Sequence, residues 1–192
     1  MSNRALPSGM PVRPALVSDV ALRFLAWASL VLAVDLGSKH WAVTSLADRA
    51  IQLVDRFSLF LVFNTGTAGG FSIGPYTWLI NVLGTVATVA LVVGVVVPLA
   101  RVDLRAVAAM GLIAGGATGN LASLVGDSRG VPDFLALHVG EAYVVFNVAD
   151  IGLWIGAGLL VPVAMGLVRQ ARAERAMART SADEARAAQP SR

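Results

Sequence analysis

The chain of 192 residues contains no cysteine and only two histidines. Without cysteine it cannot form disulfides, thiolate metal sites or a thiol nucleophile. His40 and His138 are far apart in the sequence, no His-Glu-x-x-His motif occurs, and no glycine-rich phosphate loop is present. We therefore expect no metal and no cofactor.

Charged residues are also scarce, at 14% of the chain, against about 25% in an average soluble domain. Hydrophobic residues make up 56%, and the mean hydropathy is +0.71. This composition excludes a soluble domain, a disordered chain and a coiled coil. It predicts a protein that crosses a membrane several times. The net charge of +3 then reports topology rather than a nucleic-acid partner.

Four segments have the roughly 20 apolar residues that a span requires. They predict an all-α membrane bundle of four transmembrane helices. Residues 1–20 read as a flexible leader, and residues 169–192 form a basic tail, either a continued helix along the lipid headgroups or a solvated, frayed end. The predicted spans are residues 22–43, 76–100, 106–126 and 144–168.

The cations are distributed unequally between the two sides of this topology. Of the 15 Lys and Arg residues, only Arg49, Arg56 and Arg129 fall in the two loops opposite the termini, and Lys39 lies inside the first span. The other eleven lie on the side of the termini. Because Lys and Arg are enriched in cytoplasmic segments, we expect both termini in the cytoplasm of a bacterium, with the protein in its inner membrane.

The two loops on the opposite side contain short runs rich in Val, Leu and Phe. Residues 51–54 and 57–63 are too short to span the membrane as helices and are typical of strands. Residues 131–137 and 142–146 add two further candidate strands. We predict a small strand-rich cradle at the extracytoplasmic surface.

Polar residues converge at this extracytoplasmic level, where an ionisable group in a span is a functional candidate. Asp150 is expected about 9 Å below the start of the fourth span, on the same helix face as Asn147. Two close aspartates that share a proton can perform acid and base catalysis, because both cannot be ionised at once. The candidates at this level are Asp35, Lys39, Asn64, Gly66, Asn120, Asp133, Asn147 and Asp150.

Several of these candidates also have purely structural interpretations. Asp35 and Lys39, four residues apart, can form a pair that only makes a buried charge tolerable. Residues 64–70 are typical of a turn, and Asp133 after Pro132 suits a turn or a cap. Glycines four residues apart predict close helix packing. They are Gly111, Gly115 and Gly119 on the third span and Gly152 and Gly156 on the fourth.

Together these motifs resemble the lipoprotein signal peptidase family, also called signal peptidase II, over Val31 to Gly158. Residues 146–152, Phe-Asn-Val-Ala-Asp-Ile-Gly, are similar to the Phe-Asn-x-Ala-Asp signature of the family. The other matching segments are residues 34–39 with Asp-x-x-x-Lys, residues 64–66 with Asn-x-Gly, residues 116–121 with Gly-Asn-Leu and residues 130–135 with the other aspartate.

The resemblance implies a four-span aspartyl endopeptidase. Asp133 and Asp150 would form the catalytic dyad, and Asn64, Asn120 and Asn147 would line the site. The substrate would be a lipid-modified prolipoprotein, cleaved at the bond preceding its diacylglyceryl cysteine. Membrane lipids would be the other partner, and a monomer is expected although the sequence leaves the oligomeric state open.

The chain departs from the family at two places. The family continues Gly-Asn-Leu with x-Asp-Arg, whereas this chain has Ala122-Ser123-Leu124. The aromatic residue after Asn64 comes two positions late, as Phe71. A paired loss of acid and base can remove a compensating ion pair, or it can mark a divergent, non-catalytic lipoprotein-binding relative. A small ion- or proton-coupled transporter is a further alternative.

Overall fold

The computed structural model describes residues 14–65, 74–100 and 103–187, as four long helices and a four-stranded sheet. The four helices are long and apolar enough to cross a membrane, which confirms the predicted bundle. A 3₁₀ turn, Gly74–Tyr76, precedes the second helix. In chain order the elements are α1 (Pro14–Ser45), β1 (Ile51–Val54), β2 (Phe57–Asn64), α2 (Thr77–Ala100), α3 (Arg105–Gly126), β3 (Val131–Val139), β4 (Ala142–Phe146) and α4 (Val148–Ala187).

Two predicted boundaries were wrong. Residues 14–20 are helical rather than part of a flexible leader, since α1 begins at Pro14, and proline suits the first helical position. The fourth span was predicted from residue 144, but residues 142–146 form β4. Their aromatic and β-branched side chains favour a strand, and β3 supplies the pairing partner. Residues 1–13 and 188–192 lie outside the described residues.

Helix α4 continues 19 residues past Val168, to Ala187. The tail is therefore helical as far as Ala187, and is not a frayed end over these residues. Its alanines and arginines are strong helix formers, and its side chains from Arg169 to Ala182 are exposed.

Helix α3 lies at the centre of the bundle and packs against α1, α2 and α4. Its glycines permit this close packing. A Cβ added to Gly111 would lie 2.6 Å from the Cβ of Trp27, and one added to Gly115 would lie 2.5 Å from the carbonyl oxygen of Ala28. These approaches confirm that the glycine spacing serves helix contacts.

The four strands form one antiparallel sheet in the order β1-β2-β3-β4. Strand β3 pairs with β2 through Asn64 opposite Val131 and Val62 opposite Asp133. The sheet packs on the end of α1, where Ala42 and Leu46 form a buried cluster with Phe134. We call this the sheet end of the bundle. The predicted strands are confirmed, and β3 extends two residues further than expected, to Val139.

Candidate active site

The first turn of α4 is closed by a reciprocal pair of hydrogen bonds between Asn147 and Asp150. The side-chain oxygen of Asn147 accepts from the backbone N–H of Asp150 at 3.2 Å, and Asp150 Oδ2 accepts from the backbone N–H of Asn147 at 3.1 Å. This is the geometry of a capping box. Asp150 therefore lies in the first turn, at the sheet end, and not about 9 Å below the helix start.

Asp35 stabilises the same helix terminus from α1. Its Oδ1 accepts from the backbone N–H of Ala149 at 2.9 Å, and its Oδ2 accepts from Lys39 Nζ at 2.7 Å. Both side chains are buried. A carboxylate is stabilised beside the free N–H groups of a helix N-terminus, so this pair fixes the position of α4 against α1 as well as neutralising a buried charge.

Asn120 of α3 links this pair to Asp150. Its Oδ1 accepts from Lys39 Nζ at 2.7 Å and from Asn147 Nδ2 at 3.1 Å. Its Nδ2 donates to Asp150 Oδ1 at 3.1 Å. The amide is thus oriented by three partners, and each Asp150 oxygen has a defined donor.

Asp133 is brought to the same place by β3. Its Oδ1 accepts from Asn147 Nδ2 at 2.6 Å, and its Oδ2 accepts from Asn64 Nδ2 at 3.2 Å. Because Asp133 lies within a paired strand, the alternative of a turn or a helix cap is wrong. The single residue Asn147 therefore contacts both aspartates, Asp133 through its side chain and Asp150 through its backbone and side chain.

The backbone before β3 is shaped by Gly130, which has a φ of 112°. A Cβ at this position would lie 2.5 Å from the carbonyl oxygen of Asn64. A side chain here would also be strained by the positive φ. Glycine therefore allows β3 to start close to Asn64, which brings Asp133 within reach of that amide.

Asp133 is 4% exposed. Burial raises the pKa of its carboxyl to about 6. The hydrogen bond from Asn147 opposes this rise, and the neighbouring Asp150 carboxylate adds to it. Burial disfavours the charged form of an acid, and a nearby like charge does the same. The two aspartates are therefore electrostatically coupled.

A cavity of about 270 Å³ opens beside both aspartates. Its polar lining consists of Asp133, Asp150 and amide or hydroxyl side chains, and the rest is apolar. A concave, mainly apolar pocket with a few convergent polar groups is the usual form of a binding site. The polar lining residues are Asn64, Asn81, Thr85, Asn120, Asp133, Asn147 and Asp150.

The structure brings together seven of the eight residues predicted from the sequence. Asp35, Lys39, Asn64, Asn120, Asp133, Asn147 and Asp150 form one hydrogen-bonded network. Gly66 and the displaced Phe71 lie outside the described residues. Sequence reasoning overlooked Asn81 and Thr85 of α2, which also line the cavity. Their signal in the sequence is that they are polar residues four apart in an otherwise uncharged span.

The two residues at the departure from the family lie on different sides of α3. Leu124 lines the cavity beside the aspartates. Ser123 instead donates its hydroxyl to the Gly119 carbonyl at 3.0 Å. An acid–base pair occurs shortly after the helix, where Arg129 Nη2 lies 2.6 Å from Asp127 Oδ2. Hydrogen bonds from Arg129 lower the pKa of Asp127 to about 2.

The donor set of the network does not resemble a metal site. Within residues 14–65, 74–100 and 103–187, no three His, Asp or Glu side chains cluster as metal ligands do. The groups around the aspartates are amides and an ammonium, which donate hydrogen bonds to carboxylates.

Comparison with known proteins assigns the family. A family profile described as signal peptidase (SPase) II matches residues 27–165. The chain belongs to the signal peptidase II family. The matched region contains all eight residues predicted from the sequence, and it ends before the basic tail.

Curated relatives agree with this assignment to signal peptidase II. The lipoprotein signal peptidase of Hydrogenovibrio crunogenus is 34% identical over 150 residues, which covers 76% of this chain and 86% of the relative. The lipoprotein signal peptidase of Rhizorhabdus wittichii is 38% identical over 153 residues, covering 74% and 85%. These alignments extend over most of both proteins.

Solved structures agree with the fold. A bacterial membrane enzyme determined by the in meso method at 2.3 Å resolution superposes with a TM-score of 0.65 at 22% identity, covering 78% of this chain and 88% of that one. A second such structure, at 1.9 Å resolution, gives a TM-score of 0.64 with coverage of 77% and 93%. The four-helix architecture with its small sheet is thus shared with a known membrane enzyme.

Proposed function

We propose that this protein is an aspartyl endopeptidase that removes the signal peptide from lipid-modified prolipoproteins, at the bond preceding the diacylglyceryl cysteine. The single observation that carries the proposal is that Asp133 and Asp150 face one cavity and are both bound to Asn147. Membership of the signal peptidase II family supplies the substrate class.

The proposed roles of the two aspartates differ. Asp150 acts as the ionised member, because it lies in the first turn of α4, where the helix dipole favours negative charge. Asp133 is proposed to act as the acid, because its burial and the neighbouring Asp150 carboxylate both favour its neutral form.

In the proposed reaction, Asp150 removes a proton from water as the water oxygen attacks the scissile carbonyl carbon. Asp133 donates its proton to the carbonyl oxygen, which gives a tetrahedral diol. On collapse of this intermediate, the carbon–nitrogen bond breaks. Asp150 then gives its proton to the departing cysteine nitrogen, and a diol hydroxyl returns its proton to Asp133. The products are a signal peptide with a carboxyl end and a lipoprotein with a free amino end.

Asp35, Lys39 and Asn120 are proposed as positioning residues. Lys39 orients the Asn120 amide, and that amide donates to Asp150. Asp35 holds the Ala149 N–H, which is adjacent to Asp150. Asn64 is proposed to orient the second Asp133 oxygen. Gly66, which lies outside the described residues, is proposed as a site-supporting residue because it matches the Asn-x-Gly motif of the family.

The proposed location is the bacterial inner membrane, with both termini in the cytoplasm and the sheet end at the extracytoplasmic face. The support is the excess of Lys and Arg in the segments at the opposite end of the bundle. Because the entire network lies within one chain, we propose that a monomer is sufficient. The diacylglyceryl group and the surrounding lipids are the membrane partners.

The transporter alternative receives little support from the distribution of polar groups. The buried polar and charged side chains in the described part of the chain are Asp35, Lys39, Ser58, Thr77, Asp133 and Asn147. All of them lie in the sheet or at the sheet end of a helix, whereas a relay needs groups that continue through the bundle.

The test is cleavage of a diacylglyceryl-modified prolipoprotein by the purified protein in detergent, followed by mass spectrometry of the products. We expect a mature product that begins with the modified cysteine. The matched control is the same precursor without its lipid, which should stay intact. A precursor that is bound but never cleaved would favour the non-catalytic alternative, and cleavage at another bond would also contradict the proposal.

A further inference from the structure

Helix α2 presents a polar stripe to the cavity that the proposed chemistry does not use. Asn81 and Thr85 both line the cavity with Asp133 and Asp150. They are four residues apart, so they lie on one helix face. At 1.5 Å per residue, Thr85 lies about 12 Å along the axis from Thr77, the first residue of α2. The cavity therefore reaches more than two helical turns into the bundle.

The hydroxyl of Thr85 differs from its neighbours on α2. Thr77 donates to the Gly74 carbonyl at 2.8 Å, and Thr88 donates to the Gly84 carbonyl at 2.8 Å. Among the described residues, Thr85 Oγ1 has no hydrogen-bond partner. Every fully buried side-chain N or O atom in this part of the chain has a partner, so Thr85 Oγ1 is not fully buried. The Thr85 hydroxyl is thus available to a molecule in the cavity.

The Asn147 amide beside the aspartates has no hydrogen left to donate. Asn147 Nδ2 has two hydrogens, and they are used by Asp133 and Asn120. The Asn120 Oδ1 accepts from Lys39 and Asn147, which occupies both lone pairs. Asn147 therefore has no N–H left for a carbonyl of a bound peptide, and one Asn120 N–H is already given to Asp150, so a donor on another wall of the cavity adds to what this network offers.

The substrate creates the need for such donors. Attack on a peptide bond requires its carbonyl to leave any helical hydrogen bond, so the segment around the bond must unwind. An unwound backbone at membrane depth has unpaired N–H and C=O groups, each of which is costly to leave without a partner. Apolar lining such as Leu121, Leu124 and Leu153 cannot supply one.

We propose that Thr85 is a substrate-binding residue whose hydroxyl donates a hydrogen bond to a backbone carbonyl of the unwound signal peptide. The ligand class is an extended peptide backbone, and Asn81 lies on the same wall, one turn closer to the sheet end. This inference rests on the proposed function, since it concerns the peptide that the two aspartates would cleave.

The test compares Thr85→Val, Thr85→Ser and Thr88→Val in cleavage of a diacylglyceryl-modified prolipoprotein. Thr85→Val keeps the shape and removes the hydroxyl, so we expect KM to rise about 5- to 10-fold, the effect of one neutral hydrogen bond, with kcat within about twofold. Thr85→Ser should restore the wild-type KM. Thr88→Val is the matched control, because that hydroxyl bonds to its own helix, and it should behave as the wild type.

The dissociation constant of the uncleaved precursor for each variant is measured in parallel. It should rise for Thr85→Val alone, which tests the inference even if the protein binds precursor without cleaving it. An unchanged KM and dissociation constant in Thr85→Val would overturn the inference, as would equal effects of Thr88→Val or no recovery in Thr85→Ser. Cleavage that survives Asp133→Asn would instead count against the proposed function.

Discussion

The side-chain amide of Asn147 donates a hydrogen bond of 2.6 Å to the Asp133 carboxyl. The same residue begins the helix that carries Asp150 and bonds to it twice. Asn147 therefore fixes the position of strand β3 relative to helix α4. The distance between the two aspartates depends on this residue.

Asn147→Ala should lower kcat/KM about 10- to 100-fold, because hydrogen bonds to charged groups contribute about 1.5–3 kcal/mol. The measurement is prolipoprotein cleavage with thermal unfolding of the same samples in detergent. Ser58→Ala is the matched control, since Ser58 is also buried but bonds to Gln52 and His138 rather than to the network around the aspartates. Equal losses of activity in the two variants would contradict a specific role for Asn147.

The raised pKa of Asp133 predicts a pH-dependent stability. A carboxyl with a folded pKa near 6 and an ordinary value of 3.8 binds its proton more tightly when folded. The contribution of Asp133 to the free energy of unfolding is therefore most favourable below pH 3.8. This contribution decreases by about 3 kcal/mol in total as the pH rises to about 6. Asp133→Asn removes this titration.

Unfolding free energies of the wild type and Asp133→Asn, measured from pH 4 to pH 8, test this linkage. We expect the stability of the variant relative to the wild type to increase with pH, by up to about 3 kcal/mol. A difference that stays constant over this range would show that burial does not perturb Asp133.

Lys39→Met should be strongly destabilising, by about 3–5 kcal/mol, because it leaves the Asp35 carboxylate buried without its cation. The double variant Asp35→Asn/Lys39→Met removes both charges and keeps an acceptor for the Ala149 N–H, so it should recover most of the stability. Chemical unfolding of the single and double variants measures this coupling. Additive losses would mean that the two charges do not form a coupled pair.

Gly119→Ala should disrupt the site through packing alone. A Cβ at this position would collide with the Asp35 carboxylate, so we expect loss of thermal stability and at least a tenfold loss of kcat/KM, the effect of about 1.4 kcal/mol. Gly94→Ala is the control, because nothing lies within 4 Å of its added Cβ, and alanine favours a helix by about 1 kcal/mol over glycine. If Gly119→Ala behaved like Gly94→Ala, the close approach of α3 to α1 would be incorrect.

Much of the helix arrangement follows from the sequence, because a protein in a lipid bilayer shows two strong sequence signals. Long apolar runs identify the helices, and an Asp or Lys inside such a run is rare unless it is paired, which identified Asp35 and Lys39. The start of α4 was misplaced because Tyr143–Phe146 is apolar enough to extend a span. The same residues were also predicted as a strand, and the pairing with β3, a tertiary effect, decides between the two predictions.

The connections within the site were less predictable. The spacing of Asn147 and Asp150 indicated a shared face, but the contact of Asn147 with Asp133 depends on where the start of β3 lies relative to α4. Thr85 was missed for a different reason. A lone threonine in a span usually bonds to its own helix, as Thr88 does, so only the cavity distinguishes the two residues.

The proposed function requires that Asp133 and Asp150 perform the hydrolysis together. The most direct measurement is the single-turnover rate of prolipoprotein cleavage by Asp133→Asn and by Asp150→Asn, each with its melting temperature. We predict that each variant remains folded and loses at least about a thousandfold in rate, consistent with the large losses that follow removal of a group essential to catalysis. Near-normal cleavage by either folded variant would show that the two aspartates do not perform the hydrolysis together.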